Sequence, residues 1–592
     1  MPATSDPLLA ELESAKNDFG PGSAGKLTTL LQRLSGCEFE ANTLIRFHEA
    51  LLFLRAFPHS AAVITTVEKL LDTFHERIEK LRATGADMSA FDDFDTSGIA
   101  ATTMQDTVNY EVARWLVRRI PGNVEIAWED YEEDRAMGAT WPRFIPLLQE
   151  DADVEANIPW RRWLDAARGR ERDLPWLIRQ FEQLHTDKSP TLAQRPRSER
   201  LDVHSRLPAE LYDSLRLRLR WHLKNLKLSR TRNWRRPRRF FFHTGALISR
   251  REVSLADELS RPAPRLTRLS RRQGEAVMQT IREVMLVRYR ELYGTTLGDP
   301  RSVVTTELGR GIVMYLWNLP PARRLPLRAY VAGFTLKNGV PINYIEAIGL
   351  CEWIEVGFNT FYTYRQGETA WVYAQALRSL CALMGAKTIS VYPYQIGQNN
   401  DEALDSGAFW FYRKLGFRSG NPALERLAQD EEKKIAANAR YRTPRRILKR
   451  LAEAHVFYEV ERAGRHTAEA GPGPWDTFST RNLALSVNRR MAHEFGGNAR
   501  SIREASFAEV TRALQLHTTR WTNSERQSLG NWSLVLALVP GLAGWSREQK
   551  QTLTAIIRSQ SAANEMRYLR LTQRHSRLRE ELLRLGSNVL NS

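Results

Sequence analysis

Residues 342–417 read INYIEAIGLCEWIEVGFNTFYTYRQGETAWVYAQALRSLCALMGAKTISVYPYQIGQNNDEALDSGAFWFYRKLGF, and the rest of the chain is organised around them. An apolar, β-branched and aromatic run ends at Tyr362, and a short turn follows at 363–367. Ala370, Val372, Tyr373, Ala376, Leu377, Leu380, Leu383 and Met384 then recur with the spacing of a helix that buries one face. Gly385 ends that helix, as a C-terminal glycine does. Residues 388–394 have the composition of a second strand, and 405–415 that of a second helix closed by Gly416. Strand, turn, helix, strand, helix is half of an α/β domain.

The turn carries the chemistry. Arg365, Gln366, Gly367, Glu368, Thr369 and Ala370 join a strand end to a helix start. Backbone N–H groups at such a start have no partner inside the helix and point at whatever lies before it. Arg365 adds a cation, and Gly367 lets the chain bend and approach a ligand closely. This makes an anion site, most naturally for phosphate. Taken alone, the same residues also read as an ordinary strand-to-helix turn capped by water.

Together with the second helix, these residues resemble the GNAT superfamily of acyl-CoA N-acyltransferases. Arg365 and Ala370 fit that family's phosphate turn. Ala408 fits its Asn-x-x-Ala helix start, and Tyr412, Lys414, Gly416 and Phe417 fit its closing Tyr-x-Lys-x-Gly-Phe. The resemblance covers roughly Ala263 to Val460. It implies an α+β central domain, a mixed and mostly antiparallel sheet flanked by helices. It implies acetyl-CoA or another acyl-CoA as co-substrate, with Arg365, Gln366, Gly367, Thr369 and Ala370 at its phosphates and Asn400 or Asp405 at its arm. It further implies two neighbouring strands, here 353–362 and 388–394, that splay apart to admit the pantetheine chain. An amine would attack the thioester directly. Tyr412 matches the family's proton donor for the leaving thiolate, and Glu355 and Glu346 are the candidate bases. No metal is implied. The residues also have plainer readings: Tyr412 as a core tyrosine between Phe411 and Leu415, the two glutamates as strand carboxylates facing water, and Asp405 as a helix cap. Glu368 stands where the family has glycine, which would set a carboxylate near a pyrophosphate. Asp405 stands where the family has asparagine, which removes a donor.

The preceding residues give the order of elements independently. Residues 266–270 read as a strand and 273–293 as a long helix. Strands at 302–307 and 312–317 flank Gly309-Arg310-Gly311, and strands at 327–336 and 342–350 flank Lys337-Asn338-Gly339, both hairpin turn signals. Helices at 422–437 and 442–453 and a strand at 455–460 complete a domain spanning 261–462.

Outside it, residues 1–188 read as a helical N-terminal domain. Two acidic runs there, around Asp92-Asp93-Phe94-Asp95 and from Trp128 to Asp134, read as solvated surface. Residues 189–260 hold a linker and the most basic stretch. There Arg216, Arg218, Arg220, Lys224, Lys227, Arg230, Arg232, Arg235, Arg236, Arg238 and Arg239 occur with no acid among them, and Trp221 and Trp234 interleave. Cations with aromatic platforms suit nucleic acid. Alternatively Leu215, Leu219, Leu223 and Leu226 form a helix seam whose arginines are solvated or paired with the acidic runs. Residues 463–476 form a second linker and 477–592 a helical C-terminal domain.

Composition bounds the rest. The 592 residues are 42% hydrophobic and 26% charged, ordinary for a globular chain, with a net charge of +18 that favours acidic partners. No apolar run has the length of a membrane span, no secretion signal opens the chain, and three scattered cysteines point to a reducing compartment. The expectation is a multidomain, basic, soluble cytoplasmic protein: an N-acyltransferase acting on an unidentified amine. The alternative is a nucleic-acid-binding or scaffold protein with a non-catalytic core of the same shape.

Overall fold

The computed structural model describes residues 5–131, 134–145, 160–184, 207–224, 226–290, 293–462 and 472–587. The chain divides into two compact units. The first comprises Met1–Arg238, Phe242–Ala246 and Met278–Thr296, and the second comprises Arg239–Phe241, Leu247–Val277 and Leu297–Ser592.

The first unit begins with helices Ser5–Ala15, Ser23–Ser35, Ala41–Ala56, Ala61–Asp72 and Phe74–Ala83. Their buried stripes include Leu27, Leu31, Leu51, Val63 and Val67, the residues whose spacing marks them as helical. The helical expectation for 1–188 then needs correction. Strands β1 (Thr103–Thr107) and β2 (Val124–Ile126) flank β3 (Arg218–His222) in a three-stranded antiparallel sheet. The proposed leucine seam is therefore a strand and not a helix. Leu215, Leu217, Leu219, Trp221 and Leu223 are all buried, a period of two, with Arg218 and Arg220 on the other face. Those arginines do meet the acidic run: Arg218 lies 3.6 Å from Asp130, and Arg220 pairs with Glu129. Arg230 is 4% exposed and pairs with Glu49, and Arg232 pairs with Asp72.

The second unit is built on a nine-stranded sheet with flanking helices. In chain order the strands are β4 (Thr267–Arg268), β5 (Val304–Gly309), β6 (Ile312–Asn318), β7 (Ala329–Lys337), β8 (Val340–Leu350), β9 (Trp353–Thr360), β10 (Thr388–Val391), β11 (Arg418–Ser419) and β12 (Val456–Glu459). Across the sheet they lie β11-β12-β10-β9-β8-β7-β6-β5-β4, and every pair is antiparallel except β9 with β10. A parallel pair needs a crossover, and the Thr369–Met384 helix supplies it. Asn338 and Gly339 both take positive φ, 48° and 79°, the conformation a two-residue hairpin asks of its centre. The Asn338 side chain then clamps the backbone of Phe241, accepting its N–H at 2.8 Å and donating to its C=O at 3.0 Å.

The crossover helix is buried on nearly all sides, including Ala370, Val372, Tyr373, Leu377, Leu380 and Met384. It packs on β8 where Gly349 has no side chain: a Cβ there would lie 2.9 Å from Met384 Cε and 3.3 Å from Leu569 Cδ2. Leu569 belongs to the Glu565–Arg574 helix, so the C-terminal helices share this unit with the sheet. Gln573 of that helix donates to Cys351 O at 2.9 Å and Met384 O at 2.7 Å. Among the described residues no helix is long and apolar enough to cross a membrane.

Candidate functional site

β9 and β10 pair only at Trp353 with Thr388, Ile354 with Ile389 and Glu355 with Ser390. β10 ends at Val391, while β9 continues to Thr360 with no strand on that side among the described residues. Phe361 N–H donates to Ile342 O at 3.0 Å, which fixes the alternation along β9. The backbone groups of Phe358 and Thr360 are thereby turned away from β8, toward the gap.

A cleft of about 570 Å³ opens there. Its wall holds Arg365, Gln366, Gly367, Thr369 and Ala370 from the turn, Asn400, and Tyr412. Phe358, Asn359 and Thr360 form the strand side. The backbone N–H groups of Thr369 and Ala370 meet no acceptor among the described residues, as the first turn of a helix requires. The Thr360 hydroxyl is buried without a partner. The Tyr412 ring packs edge-on against Tyr373 at 5.6 Å and Phe417 at 5.7 Å, yet its hydroxyl bonds to no described residue. Burial pushes this phenol well above its ordinary range, so it stays protonated.

The remaining sequence-predicted residues lie elsewhere. Asp405 ends a short helix, Asp401–Asp405, whose cap is Asn400, accepting Ala403 N–H at 3.1 Å. Gly407 at φ 67° breaks the chain before the next helix, Ala408–Arg413, so the helix expected at 405–415 is confined to 408–413 and a separate short helix ends at Asp405. Asp405 pairs with Arg445 outside the cleft. Glu346 stands opposite Gly357 on the face of the sheet shared by Glu355. Nothing on Gly357 obstructs that face: an added Cβ would meet only Gln395 Nε2, at 3.6 Å. Gln395 also lines the cleft. Burial pushes Glu346 up to about 7, and the Tyr330 hydroxyl donates to it. Glu355 differs. Burial alone would raise it, but the His455 hydrogen bond at 2.9 Å and Arg328 at 3.5 Å hold it below the usual carboxylate range. Of the two, Glu346 is the group matched to accepting a proton near neutral pH.

Glu368 caps the crossover helix but turns away from the cleft. It is 1% exposed, paired with Arg310 and 3.4 Å from Lys337, and accepts Ile248 N–H at 3.2 Å. The carboxylate in the cleft wall is Glu402, which pairs with Arg365. Leu247, Ile248, Ser249 and Arg250 also line the wall, a contribution with no periodic pattern in the sequence to announce it. Burial and the neighbouring Arg251 lower Arg250. Lys414 is lowered by burial and then by Arg250, Arg251 and Arg442. These mutually unfavourable cations concentrate positive potential beside the cleft.

No protein-family profile, curated protein or solved structure matches this chain.

Proposed function

We propose that the second unit is an acyl-CoA-dependent N-acyltransferase of the GNAT type, with acetyl-CoA the first cofactor to test. The observation that carries the reading is the cleft where β9 outruns β10, walled at once by the Arg365–Ala370 turn and by Tyr412. An extended pantetheine arm would pair with the edge of β9 at Phe358 and at the Thr360 N–H as an added strand, the Thr360 carbonyl already accepting from Arg365 Nε at 3.4 Å. The diphosphate would rest on the open N–H groups of Thr369 and Ala370, with Arg365 and Arg250 as counter-charges. Binding there sets phosphate against Glu402 for Arg365, so this ion pair opens on loading.

The amine would approach over the face carrying Glu346 and Gly357. Glu346 takes the amine proton, directly or through water, as the nitrogen attacks the thioester carbonyl. A backbone N–H of β9 stabilises the developing oxyanion. The C–S bond then breaks, and Tyr412 gives its proton to the departing thiolate. The products are the N-acylated amine and the free CoA thiol; Glu346 releases its proton to solvent and Tyr412 is reprotonated from it. Thiol release from acetyl-CoA in the presence of an amine panel, compared between the wild type and Tyr412→Phe, tests this. Loss of amine-dependent thiol release in the variant supports it, and equal rates would remove Tyr412 from the chemistry.

Binding of nucleic acid by the basic stretch has less support. Arg218, Arg220, Arg230 and Arg232 are already paired with carboxylates, leaving Arg235, Arg236, Arg238 and Arg239 as its exposed arginines near the end of the run.

A further inference from the structure

The first unit holds a cavity of its own, about 210 Å³, unrelated to the cleft. Val108, Val112, Trp115, Met285 and Leu286 make most of its wall apolar. Two features of that wall are out of place in a merely apolar void. Trp221, in the central strand β3, is fully buried, and its indole N–H finds no acceptor among the described residues. Trp115, on the same wall, by contrast donates to Gln279 Oε1 at 3.2 Å. A buried donor left unpaired is costly, so such groups are normally satisfied by something.

The second feature is Arg282. Among the described residues its guanidinium donates only to the carbonyls of Thr295 and Thr296, both at 3.3 Å. No described carboxylate lies within ion-pairing distance of it. The neighbouring cations are otherwise engaged: Arg114 lies 3.7 Å from Glu111 and 3.8 Å from Glu182, and Arg118 lies 2.5 Å from Glu182. Arg290 lies over the Phe94 ring at 3.5 Å. Burial weighs against the Arg282 charge, and Glu111 offsets that only in part. Asp106 and Glu111 also line the cavity, so a doubly charged phosphate would face two carboxylates with one uncommitted cation. A single negative charge on an apolar body matches the wall better.

We propose that this cavity is a binding site for a small hydrophobic monocarboxylate, an aromatic or branched-chain acid, held by Arg282 and the Trp221 indole N–H. The carboxylate supplies the acceptor that the Trp221 indole lacks and a directly bonded counter-charge for Arg282, and the apolar residues enclose the rest. The site is independent of the acyl-transfer reading and stands or falls without it.

Calorimetric titration of the full chain with phenylacetate, phenylacetamide and phenethylamine tests the assignment. Phenylacetate is expected to bind saturably with a Kd of about 1 mM or tighter. The neutral amide and the cationic amine should bind about tenfold more weakly or not at all. Arg282→Gln should weaken phenylacetate by about tenfold. Glu111→Gln, which removes a carboxylate near Arg282, should tighten it, and this arm stands if the arginine variant does not fold. Absence of saturable phenylacetate binding, amide affinity equal to that of the acid, or a Glu111→Gln protein that binds the acid no more tightly would each overturn the proposal.

Discussion

Glu368 Oε2 and Lys337 Nζ lie 3.4 Å apart, and both side chains are fully removed from solvent. Arg310 takes the other carboxylate oxygen, and Lys337 also donates to Arg310 O at 2.6 Å. The charge that seemed from the sequence to threaten a diphosphate is spent inside the unit, tying the β5–β6 and β7–β8 hairpins to the start of the crossover helix.

It follows that Glu368 is a structural residue. Glu368→Ala leaves Lys337 buried without its partner, and removal of one member of a buried pair costs about 3–5 kcal/mol. Chemical denaturation should show a loss of that order. Acyl-CoA affinity, measured where the variant is folded, should not improve. Tighter binding with little change in stability would place the carboxylate at the ligand after all.

Glu346 and Glu355 are distinguishable by pH. A base acts when deprotonated, so if Glu346 serves, kcat rises with pH through about 7, where burial sets that carboxyl. Glu346→Gln should abolish this limb and lower kcat by about a hundredfold or more. Glu355→Gln should leave the limb in place, because Glu355 is held ionised by His455 and Arg328 well below that range. Persistence of the limb in Glu346→Gln would exclude Glu346 as its source.

Gly357 should be required for binding and dispensable for folding. A Cβ there makes only ordinary contact with Gln395, and a β-branched residue suits a strand. Gly357→Val is expected to keep the melting temperature within a few degrees, about 1 kcal/mol, while pressing on Gln395, which lines the cleft, and weakening acyl-CoA. Unchanged affinity would mean the cofactor does not pass this strand.

Much of the second unit was legible because its signals are local. The Asn338-Gly339 turn, the crossover helix and its Gly385 stop, and the turn whose Arg365, Gln366, Gly367, Thr369 and Ala370 line the cleft all follow from adjacent residues and one period. What was not legible depends on distant partners. Leu215, Leu219 and Leu223 fit a helix at every fourth residue, but Leu217 and Trp221 between them are also buried, and pairing of β3 with β1 and β2 decided for the strand. The direction of Glu368 was set by Arg310 and Lys337, about thirty and more residues away in sequence. Leu247 to Arg250 joined the cleft with no motif. Asp405 was drawn outward by Arg445, a surface pairing that no spacing announces.

Stability should also depend on pH through Glu565. This carboxyl is completely buried, 3.7 Å from Arg324, and both oxygens lack hydrogen-bond partners among the described residues. Burial pushes it up to about 8, against an ordinary 4.5. Between those values the folded chain binds the proton and the unfolded chain does not, so stability falls as pH rises from about 4.5 to about 8. Urea midpoints at pH 5 and pH 8 should show this loss for the wild type and a smaller one for Glu565→Gln. An equal slope in both proteins would assign the dependence to other groups.

The most direct measurement is calorimetric titration of the full chain with acetyl-CoA and with desulfo-CoA, repeated on Arg365→Ala and Arg250→Ala. The cleft between β9 and β10 predicts saturable one-to-one binding of both ligands in the micromolar range, about 7–8 kcal/mol, weakened about tenfold by either arginine substitution. Absence of binding by either ligand, or binding indifferent to both arginines, would contradict the assignment of this cleft to an acyl-CoA.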